Sequence, residues 1–254
     1  MSEPRMYLFK KRLDRIDKTL LFGSGKGGVG KSVISASTAL LLNELGYRTA
    51  YLDLDIHGPA GPLLFPLDDR VVGNKEGLEP LVSLGVKVIS LGIFLASNPL
   101  PLKGKSKPDL ILDIFSAVNW GDLNYLVVDL PPGMGDELTL THRVVGEKCS
   151  LIMVTTPSKL SVNVAERLAS YAQAVRMHVA GLVVNMAKLN DIRLFGGSEP
   201  EEIASKLGAR LLGVISFHPG LSGMPNIGSA LNNIKEFRGE MENFVRELIR
   251  IIPD

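Results

Sequence analysis

Residues 25–32 read Gly25-Lys26-Gly27-Gly28-Val29-Gly30-Lys31-Ser32, and this stretch indicates the fold class of the chain. It matches the pattern G-x-x-x-x-G-K-[ST] and stands between an apolar run, Thr19 to Gly23, and a segment with helical spacing, Val33 to Leu45. In a strand–loop–helix arrangement, backbone N–H groups converge on phosphate oxygens and the helix N-terminus adds the positive end of its dipole. We therefore expect these eight residues to form a phosphate-binding loop.

Two side chains of the loop have predictable tasks. Lys31 is expected to neutralise the β and γ phosphates, and Ser32 to ligate magnesium.

Lys26 is a second cation in the same loop, so we expect it to meet another anion. One hypothesis is that Lys26 reaches the nucleotide of a second subunit, as an arginine finger does, which predicts a nucleotide-dependent homodimer. The alternative is a solvated surface lysine.

The rest of the chain alternates short apolar runs with helical patterns, which is typical of βαβ units and a mostly parallel sheet with helices on both faces. We predict a single-domain P-loop NTPase of the α/β class over residues 1–254, with an N-terminal extension over 1–17. Strands are predicted at Thr19–Gly23, Thr49–Leu54, Val86–Leu91, Tyr125–Leu130, Leu151–Thr155, Gly181–Val184 and Arg210–Ile215. Helices are predicted at Val33–Leu45, Lys159–Met177 and Glu199–Leu207.

Two regions are less regular. Residues 66–107 are rich in Pro, Gly and Lys and are expected to run as surface loops around one strand. Residues 229–252 read as one amphipathic helix that docks on the sheet; a helix lying on a membrane is the alternative.

Composition narrows the class of protein. A net charge of +1 provides no field that would gather nucleic acid, so no direct nucleic-acid partner is expected. No apolar stretch has the length of a transmembrane helix or the form of a signal peptide, which predicts a cytoplasmic protein. The single cysteine, Cys149, excludes an intrachain disulfide or a C-x-x-C metal site within these 254 residues.

Carboxylates follow two predicted strands. Asp53 and Asp55 end the second strand, at the sheet edge where ligands bind in open α/β folds. Asp55 is placed to position the water that attacks the γ phosphate, and Asp53 to support magnesium through water. Helix capping and loop solvation are the alternatives for both.

A third carboxylate, Asp129, follows the apolar run Tyr125 to Val128 and is expected to bind magnesium. It opens a D-x-x-x-G switch in which the N–H of Gly133 is expected to contact the γ phosphate.

The base is predicted to be adenine. After the strand Gly181–Val184 the chain reads Asn185-Met186-Ala187-Lys188, without the aspartate of the N-K-x-D motif that grips guanine. Asn185, at a strand end, is expected to hydrogen-bond the adenine rim; a capping role is the alternative.

Across most of its length the chain resembles the Mrp/ApbC family of deviant Walker A ATPases, relatives of MinD and ParA. The resemblance rests on G-K-G-G-V-G-K-S at 25–32, D-L-D-I-H-G-P at 53–59, W-G-D-L-N-Y-L-V-V-D-L-P-P-G-M-G-D at 120–136, V-T-T-P at 154–157 and N-M at 185–186. It implies an ATP-sandwiched homodimer in which Lys26 crosses the interface and Asp55 assists hydrolysis.

The same resemblance implies a role in iron–sulfur cluster assembly, with a cluster held between subunits by a C-x-x-C after the N-M segment. This sequence departs there, because residues 187–197 contain no cysteine. Thiolates are the usual ligands of such clusters, so we do not expect a bridging iron–sulfur cluster at these positions. Cys149 starts an apolar strand and is expected to be buried and structural. The four histidines, at 57, 142, 178 and 218, lack metal-ligand spacing and are expected at the surface or in caps.

The sequence therefore predicts a Mg-ATP-dependent ATPase with slow hydrolysis, whose nucleotide state drives a dimer and switches affinity for an unidentified protein or cargo. Two alternatives stay open. One is a regulatory or positioning ATPase like MinD or ParA. The other is a small-molecule kinase or ligase on the same fold, with loops 66–107 forming an acceptor pocket.

Overall fold

The computed structural model describes residues 10–55, 58–67, 73–75, 77–92, 107–133 and 135–252. His57, residues 1–9 of the predicted extension, and residues 68–72, 76 and 93–106 of the predicted loop region lie outside these ranges. The first strand of the sheet begins at Ile16, inside the predicted extension.

The described chain forms an eight-stranded sheet with helices on both faces, which confirms the predicted fold class. The strands are β1 Ile16–Gly23, β2 Thr49–Asp53, β3 Gly73–Asn74, β4 Gly77–Leu78, β5 Leu81–Ser83, β6 Val86–Ser90, β7 Leu123–Asp129, β8 Cys149–Thr155, β9 His178–Val184, β10 Lys188–Leu189, β11 Ile192–Arg193 and β12 Leu211–Val214. The helices are α1 Lys31–Glu44, α2 Gly61–Leu64, α3 Lys107–Ala117, α4 Asp136–Val145, α5 Lys159–Ala174, α6 Pro200–Lys206, α7 Ile227–Asn233 and α8 Lys235–Ile251. Short 3₁₀ turns cover Gly146–Lys148 and Pro219–Gly223.

The strand order in the large sheet is β12-β9-β8-β1-β7-β2-β6-β5. Neighbouring strands are parallel except at one edge, where β5 runs antiparallel to β6. Strand β1 lies between β7 and β8. After β1 the chain first forms the strands on the β7 side of the sheet, and only later β8, β9 and β12 on the other side. Ligands of open α/β sheets bind at such a switch point, outside the carboxyl ends of the strands.

Each face of the sheet carries its own hydrophobic core. On one face, α3, α4, α5 and α6 cover side chains that include Leu21, Leu52 and Val128. On the other, α1, α7 and α8 cover Leu20, Tyr51 and Val127. Because side chains alternate along a strand, neighbouring residues of one strand enter different cores, which explains why the buried strands read as continuous apolar runs.

The terminal helix differs from the prediction in one respect. Residues 229–252 do not form one helix, because the chain breaks at Ile234 between α7 and α8. Docking on the sheet is confirmed, with the side chains of Phe237, Met241, Phe244, Val245 and Leu248 buried. None of the helices in the described ranges is long and apolar enough to cross a membrane.

Candidate functional site

The glycine-rich loop lies between β1, which ends at Gly23, and α1, as the predicted strand–loop–helix order requires. The helix begins at Lys31, two residues before the predicted Val33. Gly28 and Gly30 have φ values of 77° and 83°, in the left-handed region that favours glycine. A Cβ atom at Gly25 would lie 2.6 Å from the backbone carbon of Val164, so this position also requires glycine. No side chain caps the N-terminus of α1 within the described residues. The first N–H groups of α1 can therefore serve an anion.

Asp129, at the end of β7, joins the loop into one cluster. Its carboxylate is fully buried and lies 2.5 Å from Lys31 Nζ, and it accepts hydrogen bonds from Ser32 Oγ at 2.6 Å and Ser35 Oγ at 3.0 Å. A serine hydroxyl beside a carboxylate at the end of a strand is the pair of ligands by which P-loop NTPases hold Mg²⁺. The donors present therefore fit a magnesium site at Ser32 and Asp129. Ser35, one helical turn after the loop, was missed because the motif says nothing about that position.

Asp53 is the register partner of Asp129 on the neighbouring strand, and it is fully buried as well. Its carboxylate accepts hydrogen bonds from the N–H of Gly61 at 2.8 Å, the N–H of Asp55 at 3.0 Å and Ser90 Oγ at 3.1 Å. Burial, and secondly the charge of Asp129, raise the pKa of Asp53 to about 6. In this arrangement Asp53 fixes the segment after β2, and the magnesium role assigned to it stays a prediction.

Asp55 is half-buried just beyond the strand, where its Oδ1 atom accepts the N–H of Gly58 at 3.0 Å. A residue beyond the carboxyl end of β2 lies on the same sheet edge as the loop, as its predicted contact with the attacking water requires. That contact stays a prediction.

The predicted switch segment lies against the phosphate loop. Gly133 has a φ of 98° and donates its N–H to the carbonyl of Ser24 at 2.8 Å. For Gly133 to contact a γ phosphate as predicted, this bond would have to be exchanged.

Lys26 is half-buried, and no carboxylate of the described ranges lies within ion-pair distance of its Nζ atom. The proposed contact of Lys26 with a second subunit is therefore free of a competing ion pair there.

Asn185 connects the end of β9 to the phosphate loop. Its Nδ2 atom donates to the carbonyl of Val29 at 2.8 Å, and a Cβ atom at Gly30 would overlap that Nδ2 atom. Asn185 thus buttresses the loop, a contact between residues 156 positions apart that sequence reasoning missed. Its predicted bond to adenine stays a prediction.

Beside Asn185 lies a mainly apolar cavity of about 200 Å³. Its lining includes Gly30, Val33, Ile34, Asn185, Met186, Ser216, Phe217, His218, Pro219 and Phe237. An apolar pocket with a few polar atoms, adjoining a phosphate loop, suits the flat ring of a nucleotide base.

Cys149 lies at the amino end of β8, whereas the phosphate loop follows the carboxyl end of the neighbouring β1. It is buried, as expected, and burial raises the pKa of its thiol to about 12.

Within the described ranges no group of three or more His, Cys, Asp or Glu residues is arranged to hold a metal ion. His218 stands at the N-cap of the 3₁₀ turn Pro219–Gly223, one of the two positions expected for it, but its side chain is buried and pairs with Glu240 at 2.9 Å.

The glycine loop between β1 and α1, with Lys31 and Ser32 against the buried Asp129, defines a P-loop NTPase. A family model described as NUBPL iron-transfer P-loop NTPase, of the ParA group, matches residues 15–251, and the chain belongs to this family. The predicted resemblance is confirmed at this level.

Several relatives are named as iron-sulfur cluster carrier proteins. One, from Aquifex aeolicus, is 34% identical over 221 residues, which cover 83% of this chain and 60% of the relative. Another, from Methanococcus maripaludis, is 32% identical over 225 residues, covering 85% of this chain and 78% of the relative. The chain therefore spans less than two thirds of the Aquifex protein.

Solved structures support the same assignment. The nucleotide-binding protein of Archaeoglobus fulgidus in complex with ADP superposes with a TM-score of 0.77 at 31% identity, covering 94% of this chain and 96% of that one. The cell division ATPase MinD of Pyrococcus furiosus superposes with a TM-score of 0.67 at 18% identity over 92% and 99% of the two chains, a likeness of fold. Family membership and the ADP-bound relative both support nucleotide binding by this chain.

Proposed function

We propose that the protein is a Mg-ATP-dependent ATPase in which ATP binding joins two copies of the chain and thereby switches affinity for a protein or cargo partner. The cluster of Lys31, Ser32 and Asp129 carries this proposal, because it combines a cation for the phosphates with a hydroxyl and a carboxylate for magnesium. When bound, magnesium would screen the charge of the β and γ phosphates.

The loop and the residues around it have separate parts in the proposed reaction. The N–H groups of residues 25–30 and of the first turn of α1 bind the phosphates, and Lys31 turns from Asp129 toward the β and γ phosphates. Asp55 orients the attacking water, and Lys26 of one copy stabilises the γ phosphate held by the other. The cavity beside Asn185 receives adenine. Hydrolysis then releases the contact made by Gly133, and the two copies separate.

The names of the relatives point to an iron–sulfur cluster as the cargo. Relatives carry the name iron-sulfur cluster carrier protein, and another is named a cytosolic Fe-S cluster assembly factor. Clusters of this kind are usually held by four thiolates, whereas two copies of these 254 residues supply two, both buried at the far edge of the sheet. We propose that the chain takes part in cytosolic iron–sulfur assembly as a nucleotide switch, without ligating a cluster through these residues.

The test is the solution mass of the protein with ADP and with Mg-ATP, for wild type, Lys26→Ala and Asp55→Ala. We expect Mg-ATP to give a dimer that Asp55→Ala retains and Lys26→Ala loses. Lys235→Ala, which removes an exposed lysine on α8, is the matched control and should dimerise like wild type. A monomer in every sample that still binds ATP would refute the dimeric switch and favour a reaction within one subunit.

Cargo binding has a separate test. After anaerobic reconstitution with iron and sulfide and subsequent desalting, we expect iron and sulfide contents near zero. A stoichiometric cluster would contradict the proposal for these residues.

A further inference from the structure

Three hydrogen bonds converge on the carboxylate of Glu240, a half-buried residue of α8. The N–H of Ser216 donates to Oε2 at 3.0 Å and Ser216 Oγ to Oε1 at 2.6 Å. His218 Nε2 lies 2.9 Å from Oε2, and since an ionised carboxylate only accepts, this nitrogen carries the hydrogen. The His218 ring also packs edge-on against Phe237 of the same helix, with 5.6 Å between centroids.

The segment held by Glu240 forms one wall of the cavity beside the phosphate loop. Residues 216–219 all line that cavity, together with Gly30 and Asn185. Two backbone hydrogen bonds tie this wall to the segment after β9: the N–H of Ala187 donates to the Ile215 carbonyl at 3.0 Å, and the N–H of Phe217 to the Lys188 carbonyl at 2.7 Å.

Glu240 is not needed to dock its helix, because α8 already buries five large apolar side chains against the sheet. Within the described ranges no lysine or arginine pairs with the Glu240 carboxylate. A partly desolvated carboxylate without a cation is favourable only if hydrogen-bond donors satisfy it. Here all three donors come from one short segment, so what the carboxylate fixes is the position of residues 216–218.

We propose that Glu240 is a positioning residue for the nucleotide base: through Ser216 and His218 it holds the wall of the cavity in the conformation that receives the ring. This inference rests on the proposed function, since it assumes that the base of ATP enters this cavity. It predicts that Glu240 affects the binding of the base and leaves the binding of the phosphates unchanged.

The test compares two ligands by isothermal titration calorimetry with magnesium present: ATP, which uses the cavity and the loop, and inorganic tripolyphosphate, which uses the loop alone. Glu240→Ala should weaken ATP binding about tenfold, the loss typical of one charge-assisted hydrogen bond, with tripolyphosphate affinity unchanged. Glu240→Gln should stay close to wild type, because its oxygen can face the Ser216 N–H and His218 while its amide donates to Ser216 Oγ. Glu242→Ala is the matched control, since Glu242 is also half-buried on α8, pairs with Arg238 and Arg246, and is not among the residues that line this cavity.

Three results would overturn the inference: unchanged ATP affinity in Glu240→Ala, an equal loss of both ligands, or a Glu240→Gln variant as weak as Glu240→Ala. If Glu240→Ala does not fold, Ser216→Ala removes the Oγ contact alone and should give a smaller, equally ATP-selective loss; no loss would count against the inference. A wild-type protein that binds neither ligand would overturn the proposed function itself. ATP binding by wild type together with unaltered variants would overturn this inference alone.

Discussion

Replacing Gly30 with alanine tests whether the phosphate loop and Asn185 are one structural unit. Gly30 has a φ of 83°, and an alanine in the left-handed region costs about 1–2 kcal/mol. The new Cβ atom would also overlap Asn185 Nδ2 and displace it from the Val29 carbonyl, which removes a buried hydrogen bond worth about 1 kcal/mol. We therefore expect Gly30→Ala to lower the free energy of unfolding by about 2–3 kcal/mol.

Gly28→Ala is the matched control. Gly28 has nearly the same φ, 77°, yet a Cβ atom there meets nothing within 4 Å, so only the conformational cost of about 1–2 kcal/mol applies. Urea unfolding followed by circular dichroism gives both free energies, and equal slopes against urea would show that the variants unfold alike. Equal losses of stability in the two variants would refute the reasoning, because the contact with Asn185 would then contribute nothing.

Two further predictions concern buried ionisable groups. The pKa of Asp53 is about 6 in the folded protein against 3.8 for a free aspartate, so the folded state binds the proton more tightly and its stability should fall as the pH rises between these values, by up to about 3 kcal/mol. Asp53→Asn does not titrate, so the advantage of wild type over the variant in urea unfolding should shrink across that window; a constant difference would contradict the pKa. Burial also raises the pKa of the Cys149 thiol to about 12, so Ellman's reagent at about pH 8 should label it only after unfolding. Labelling of the native protein at the rate of a free thiol would show that Cys149 is accessible.

The site was predictable where a single stretch of chain specifies both geometry and chemistry. The loop from Gly25 to Ser32 needs its glycines for backbone conformation and its lysine for charge. A loop that does not bind phosphate rarely has both at this spacing, so the motif is specific. Asp129 was found in the same way, because an apolar run that ends in aspartate marks the carboxyl edge of a buried strand.

Contacts between distant segments were not predictable. Ser35, Asn185 and Glu240 acquire their hydrogen bonds from partners that only the folded chain brings near. The same holds for the break at Ile234, since the helical spacing on both sides of it is continuous in sequence. The helices α3 and α4 were missed because one adjoins the loop-rich stretch and the other follows the predicted switch directly.

The burial of α1 has a consequence for how ligands are received. Every residue from Ile34 to Leu42 is buried, because the sheet lies on one side of the helix and α7 and α8 on the other. The loop therefore joins a central strand to a helix that is packed on both sides, and this packing is expected to restrict the positions of its N–H groups before a phosphate binds. Little conformational freedom is left for a ligand to remove, which favours affinity. A small cavity made deep in the core, at Ala39 for example, should therefore weaken the binding of phosphate even though it does not touch the loop.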